Sequence, residues 1–449
     1  LAYVPRMRKF SMIRVLFVAS LLVGGASALS TGCNADSRTV EGDEDGNGMK
    51  MPGPPNPGDP NPPGKPGSVL SGKVVAPEGT IPISGALVYV TTTKPEPIPD
   101  GVYCDKCVHL PDGTAFTTTK SDGTFTLPAG LGNGFLVVQK GAFRRVRPIV
   151  LTSGPQVVPR DMTTLPPITD KANGDDIPKI AVLLGAWDPI ELVLAKMGLK
   201  AKISKDALGK AQVLVRDAPS FAIYGQHYLG EPTPYPGPNK LLTDPAEIGK
   251  YHIVFIPCSG GTNLGGEDPN APKCTGVFNT DMKVKTTLND FVVKGGRVYS
   301  SDWSYEYVRQ VFPGFINWRG QSTQIGSACM GGGGTQSVTK AEGGLDAWLG
   351  AQMQSLNVVK DAWTAISSVP MMSSVAPDGK PVKVAPKVWV EADSAPVTTS
   401  LQHGCGRVLY TTYHTQPTST TNEPLEPQAL ALLYLILEVG VCIDPVVIG

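Results

Sequence analysis

From residue 178 onward, short unbroken apolar runs alternate with longer amphipathic ones. "PKIAVLLGAW" (178–187), "YHIVFIPC" (251–258), "RVYSSDW" (297–303) and "GRVLYTTYH" (406–414) each predict a strand buried on both faces. "DPIELVLAKMGL" (188–199) predicts a helix with proline near its first turn. "TDMKVKTTLNDFVVKGG" (280–296) predicts another, ended by Gly295, and "PLEPQALALLYLILEVG" (424–440) a closing one. Apolar strands joined by helices form a parallel sheet covered on both sides. Ligands of such sheets bind at the carboxyl ends of the strands.

Residues 69–152 follow a different rhythm. "GSVLSGKVVAP", "SGALVYVTTT" and "GFLVVQKGAFRRVRPIVL" alternate, and "GTAFTTTKSDGTFTLPAG" reads as two strands about the turn "KSDG". Short strands at close spacing predict a small antiparallel β-sandwich, with "PDGVYCDKCVHLPDG" (99–113) inserted in one loop. The fold expected overall is multidomain: this sandwich, then an α/β parallel-sheet domain over 179–449. Residues 153–178 are Pro-rich and polar, and read as a connection. Residues 34–68 contain "EGDEDGNG" and "PGPPNPGDPNPPGKPG" and show no apolar periodicity, which predicts a disordered, semi-extended spacer. "DEDGNG" lacks the later glutamate of a calcium loop.

The first 33 residues read as a targeting segment. Arg6, Arg8, Lys9 and Arg14 precede an apolar run over 15–29, too short for a comfortable membrane span. It ends in "ALSTGC", which resembles a bacterial lipoprotein signal with Cys33 as the acylated residue, although Ser30 departs from the usual apolar residue. Asn34 after the cysteine implies, by the same resemblance, the outer membrane. Ordinary cleavage near residues 26–28, with Cys33 a plain thiol, is the other reading. A membrane partner through a lipid anchor follows from the first.

Charge adds little. Lys+Arg and Asp+Glu are 39 each, which gives no support for a nucleic-acid partner. "RRVRP" (144–148) is the densest basic stretch and reads as a solvated strand or loop face rather than a phosphate site. The glycine runs "GGTNLGG" and "GGGG" lack the Lys-Ser/Thr of a phosphate loop.

Two resemblances organise the rest. Gly72, Gly85, Ala86, Asp122, Gly123 and Phe125 lie in a pattern similar to the carboxypeptidase regulatory-like, transthyretin-type domain. This implies turn geometry and core packing, not chemistry. "YHIVFIPCSGG", "LNDFVVKGGRVYSSDW" and "GRVLYTTYH" resemble the class I glutamine-amidotransferase-like fold, including its trehalose-utilisation-type branch, with insertions at 209–250 and 320–400. That resemblance implies a flavodoxin-like sheet, with a nucleophile elbow after the third of these strands and a His–x–Glu pair after the late strand. Here the elbow falls at Ser301, Asp302 and Trp303, and the pair at His414 and Gln416. A thiolate and an orienting carboxylate are therefore missing from the positions a Cys-His-Glu relay requires.

Of the eight cysteines, Cys33 is assigned to lipid, which leaves an odd number and one thiol unpaired. Cys258 and Cys274 bracket one loop, and a disulfide there competes with Cys258 as a nucleophile. Cys405 and Cys442 would meet at one end of the sheet after a strand climbs and a helix returns. Cys104 and Cys107 admit three readings: a local disulfide, a redox pair, or zinc ligands with His109. Cys329 can replace a partner or be the odd thiol.

The remaining candidates are Asp302, His414, Trp303, Tyr305 and His227. Asp302 and His414 at strand carboxyl ends suit an acid–base pair; alternatively, Asp302 caps the helix beginning at Ser304 and His414 is hydrogen-bonded in its loop. The function expected is an exported, envelope-tethered binding or structural protein, with a glycan or envelope protein as partner and no metal or cofactor. The alternative is a hydrolase or lyase acting on a carbohydrate-like substrate through Asp302 and His414.

Overall fold

The structure is a computed structural model that describes residues 67–104, 110, 113–185, 187–205, 211–214, 219–225, 235–258, 282–319, 334–415 and 424–439. Cys33, Cys107, His109, His227, Cys274, Cys329, Gln416 and Cys442 lie outside these residues, as does the 34–66 part of the expected spacer. Among the described residues the fold is mixed, with several sheets and a smaller share of helix. No helix among them is long and apolar enough to cross a membrane.

Four apolar runs become the strands Ile180–Leu183, Ile253–Ile256, Arg297–Ser301 and Gly406–Thr411. They lie side by side and parallel, with Ala222–Tyr224 outside the first. Successive residues face opposite sides. Val182, Phe255, Tyr299 and Leu409 enter one core with the helices Ile190–Lys196 and Pro427–Val439. Leu183, Val254, Val298 and Tyr410 enter a second core, with the helix Met282–Val293. Burying each such side chain contributes about 1.5–3 kcal/mol, which is why these strands need no polar alternation.

Both stretches expected as insertions contain regular elements among the described residues. Residues 209–250 supply the edge strand Ala222–Tyr224 and the short helices Pro238–Leu242 and Pro245–Ile248. Residues 320–400 supply most of the antiparallel half of the nine-stranded sheet: Ala395–His403, Lys387–Ala392, Gly334–Ala341 and Val358–Ala362, in that order outward from Gly406–Thr411. "GTQSVTKA" alternates partly buried and exposed residues, so its apolar signal is too thin to separate from a loop.

The sandwich has two sheets. Thr124–Ala129, Ser68–Lys73 and Gly154–Val157 form one. Phe116–Thr118, Leu87–Thr91, Gly132–Lys140, Phe143–Leu151 and Asp175–Asp176 form the other. The expected connection 153–178 is thus partly sandwich. Its Asp175 and Asp176 also correct the reading of the basic stretch as solvated. Arg144 pairs with Asp176 at 2.8 Å, and Arg145 and Arg147 pair with Asp175 at 3.0 and 2.8 Å. Arg144 and Arg145 are buried, so these pairs fill hydrogen-bonding needs that water would otherwise meet.

The loop inserted in the sandwich reaches the amino ends of the parallel strands. Val102 N–H donates to Gly249 O at 2.8 Å. Gly295 has φ +115°, and any Cβ there would collide with Tyr103 O. His252 Nδ1 accepts from Lys179 N–H at 2.8 Å, and its Nε2 meets Pro99 O at 3.0 Å. Burial pushes the His252 pKa down to about 4.

Cys104 is bonded to Cys405, with Cα atoms 5.1 Å apart, across 301 residues of sequence. This overturns the local Cys104–Cys107 bridge, the redox and zinc readings of that pair, and the Cys405–Cys442 bridge. The reason is tertiary: the Val102 and Gly295 contacts carry Cys104 to the turn at Gly404–Cys405, a proximity that sequence spacing does not encode. Replacing Cys104 and Cys405 by alanine is expected to destabilise the protein by about 2–5 kcal/mol. Urea unfolding checks this, and an unchanged midpoint would place the stabilisation elsewhere.

Candidate functional site at the carboxyl end of the sheet

At the end of Arg297–Ser301 the chain turns sharply. Asp302 has φ +42°, a left-handed conformation that a non-glycine residue holds at a cost of about 1–3 kcal/mol. The turn continues into Asp302–Tyr305 and then the helix Glu306–Arg309. Asp302 caps neither: the cap position of the first turn is Ser301 and that of the helix is Tyr305, and neither carries a side-chain cap. Instead, Asp302 Oδ1 accepts from the backbone N–H groups of Trp363 and Thr364, at 3.2 and 2.9 Å. Tyr410 OH donates to Asp302 O at 2.9 Å and meets Thr364 Oγ1 at 2.6 Å.

The other carboxyl oxygen faces the two remaining groups. Cys258 Sγ lies 3.7 Å and His414 Nε2 3.9 Å from Asp302 Oδ2. All three residues are buried. Cys258 is a free thiol, which corrects its expected bridge to Cys274: it follows the strand Ile253–Ile256 with its sulfur turned toward Asp302. Burial, then the neighbouring Asp302, pushes the Cys258 thiol well above its ordinary pKa. Burial likewise pushes the Asp302 carboxyl well above the usual carboxylate range, against the hydrogen bonds that favour its charged form. Asp302 and His414 therefore do meet, but as buried groups. Of the other sequence candidates, Trp303 sits in the turn, while Tyr305 is a core residue packed 5.3 Å from the Trp318 ring.

Sequence reasoning missed the residue that assembles this end of the sheet. Asp188 is fully buried. Its Oδ2 accepts from Ser301 Oγ at 2.5 Å and Tyr299 OH at 3.2 Å. Its Oδ1 accepts from Thr415 N–H at 2.9 Å and from the Thr415 hydroxyl. Ser301 Oγ in turn accepts from Cys258 N–H at 2.9 Å. One carboxyl group thus joins the loops after the first, third and last runs of apolar sequence. Its signal in the sequence was "DPIELVL", read only as a helix start; the carboxyl-end position of an aspartate was the available clue. Trp363 and Thr364 gave no signal, because they lie in a stretch read as an insertion.

Beside the cluster is a cavity of about 70 Å³, lined in part by Arg319, Gln336, Thr364 and Thr412. Gln336 Oε1 and Thr412 Oγ1 are buried and have no hydrogen-bond partner among the described residues. Three tryptophans surround the turn. Trp187 N–H meets Cys258 O at 3.4 Å, Trp363 is hydrogen-bonded to Asp302 as above, and the Trp303 and Trp363 rings are 5.9 Å apart.

No protein-family model matches the sequence, and no curated protein matches it. Solved structures show only weak likeness. Two cytoplasmic proteins of Salmonella typhimurium are 9% and 10% identical, each over 58% of this chain and 98% and 99% of their own, with TM-scores of 0.29. A GH42 β-galactosidase of G. stearothermophilus, as its catalytic mutant, is 15% identical over 60% of this chain and 30% of its own, with a TM-score of 0.24. Likeness at this level assigns neither fold nor activity.

Glu191, next to Asp188, is buried, and burial raises its pKa to about 8. An unfolded glutamate titrates near 4.3, so the folded state favours the neutral form. The stability this contributes is complete below about pH 4.3 and is lost as pH rises to about 8, at about 1.4 kcal/mol per unit. Glu191→Gln, which stays neutral, is expected to match the parent in urea unfolding near pH 4.5 and to exceed it by a few kcal/mol at pH 8. Parallel pH profiles for the two proteins would exclude this.

Proposed function

We propose that this chain is an envelope-tethered binding protein whose carboxyl-end face takes a glycan. The observation that carries the reading is the tryptophan set. Trp187 is 44% and Trp363 38% exposed. Both are anchored by backbone hydrogen bonds to the Cys258 and Asp302 turns. Partly exposed tryptophans beside the polar turn at Asp302 suit a ligand that is apolar on one face and hydroxylated at its edges, as a sugar ring is.

Several features support an amidotransferase-like frame without glutaminase activity. The five parallel strands run in the spatial order 222–224, 180–183, 253–256, 297–301, 406–411, which suits a flavodoxin-like sheet. The turn after the fourth holds a strained, buried Asp302 where the family has its cysteine. The nearest described thiol, Cys258, comes from the neighbouring strand and is kept protonated by burial, so it is a poor nucleophile. The alternative of a hydrolase or lyase needs Asp302 to reach a substrate. Its burial and the two N–H groups on Oδ1 oppose that. Export is supported by the Cys104–Cys405 bridge, since disulfides persist in oxidising compartments.

Titration of the full protein with cell-wall oligosaccharides, followed by tryptophan fluorescence, is expected to show saturable quenching. Trp363→Ala is expected to weaken it about tenfold or more, as loss of an aromatic anchor does. Binding that ignores Trp187, Trp303 and Trp363 alike would remove the reading. Separately, Cys33→Ala is expected to move the protein from the membrane to the soluble fraction. The parent's intact mass is expected to exceed that of the polypeptide by its acyl chains, and a parent mass without acyl chains would defeat the tether.

A further inference from the structure

Three atoms of different ligand chemistry meet at the carboxyl end of the sheet. Cys258 Sγ, Asp302 Oδ2 and a His414 ring nitrogen all lie within 4.8 Å of one another, and all three residues are buried. The sulfur–oxygen edge is 3.7 Å and the oxygen–Nε2 edge 3.9 Å. Ligand atoms of a tetrahedral zinc ion with ordinary bond lengths lie about 3.3–3.6 Å apart. These two edges exceed that by a few tenths of an ångström, within reach of side-chain adjustment.

His414 is the residue that packing does not explain. Its Nδ1 is buried with no hydrogen-bond partner among the described residues. Its Nε2 approaches the carboxyl oxygen only to 3.9 Å, beyond hydrogen-bond reach. A buried imidazole in that state forfeits the bonds it would make in water, and native structures seldom leave such a group unanswered. Its neighbours are already oriented as metal ligands are. Asp302 Oδ1 is held by the N–H groups of Trp363 and Thr364, and the backbone N–H of Cys258 is held by Ser301 Oγ. Such outer contacts fix the aim of carboxylate and thiolate ligands.

We propose that Cys258, Asp302 and His414 form a divalent-metal site, best matched to zinc, with three protein ligands and one position left for water or a ligand oxygen. A sulfur and an imidazole select zinc or its chemical neighbours over magnesium and calcium. As the sulfur–metal bond forms, the thiol hydrogen leaves to solvent as a proton. The site does not depend on the glycan reading, because its ligands are buried and are present whether or not a sugar binds.

The test uses the full protein and the metal alone. After chelation and dialysis, cobalt(II) is expected to bind at one equivalent with a thiolate-to-cobalt charge-transfer band. Cys258→Ser is expected to lose the band, and Asp302→Asn and His414→Gln to weaken uptake at least about tenfold. A full band in Cys258→Ser would put the metal on another thiol and overturn the assignment, as would no band in the parent. X-ray absorption of the zinc-loaded parent needs no variant. One sulfur at about 2.3 Å with nitrogen and oxygen at about 2.0–2.2 Å is expected. A shell with no sulfur, or with more than one, refutes the site.

Discussion

The carboxyl end of the parallel sheet depends on the buried carboxyl group of Asp188. It draws together Ser301, Tyr299 and Thr415, and through Ser301 it reaches the backbone of Cys258. Loops at this end come from far apart in the chain and would otherwise be free to diverge. A carboxyl group taken out of water must be met by donors, and here they come from two segments far apart in the chain, the strand Arg297–Ser301 and the loop at Thr415. Satisfying Asp188 therefore sets the spacing of the loops, and that spacing sets where Cys258, Asp302 and His414 stand.

The turn at Asp302 shows the consequence. Its left-handed backbone is unfavourable taken alone. It persists because the carbonyl is held by Tyr410 and the side chain by two amide groups from the antiparallel half of the sheet. The elbow is thus kept by residues that take no part in nucleophilic chemistry. A cysteine at the same place would leave the Trp363 and Thr364 N–H groups without their acceptor, so the geometry and the residue have been fitted to each other.

The opposite end of the sheet has its own clamp. The sandwich loop lies over Gly249 and Gly295, and Cys104 bonds to Cys405 there. Elsewhere Trp348 Nε1 donates to Pro82 O at 2.7 Å, and Lys140 pairs with Glu438. Residues of the sandwich and of one sheet face share a single apolar cluster, so the clamp joins parts that are already packed. It fixes the amino ends of the strands and leaves the carboxyl ends to the loops that carry the tryptophans.

The sequence by itself determined the strands and helices whose burial is complete. Runs such as "IVFI" and "LALLYLIL" have no alternative but a covered position, because exposing them costs more than any local preference returns. It also placed Asp302 and His414 at strand carboxyl ends, since chain order along a strand is local information. Only the tertiary structure decided what they meet. Asp188, Cys258, Trp363 and Thr415 arrive through strand order and through an antiparallel half-sheet whose polar strands carry too little apolar signal to be recognised. The same holds for Cys104 and Cys405: spacing along the chain favours near partners, whereas a folded sheet makes neighbours of residues 301 apart. Burial is legible residue by residue; convergence depends on the order in which the strands pack.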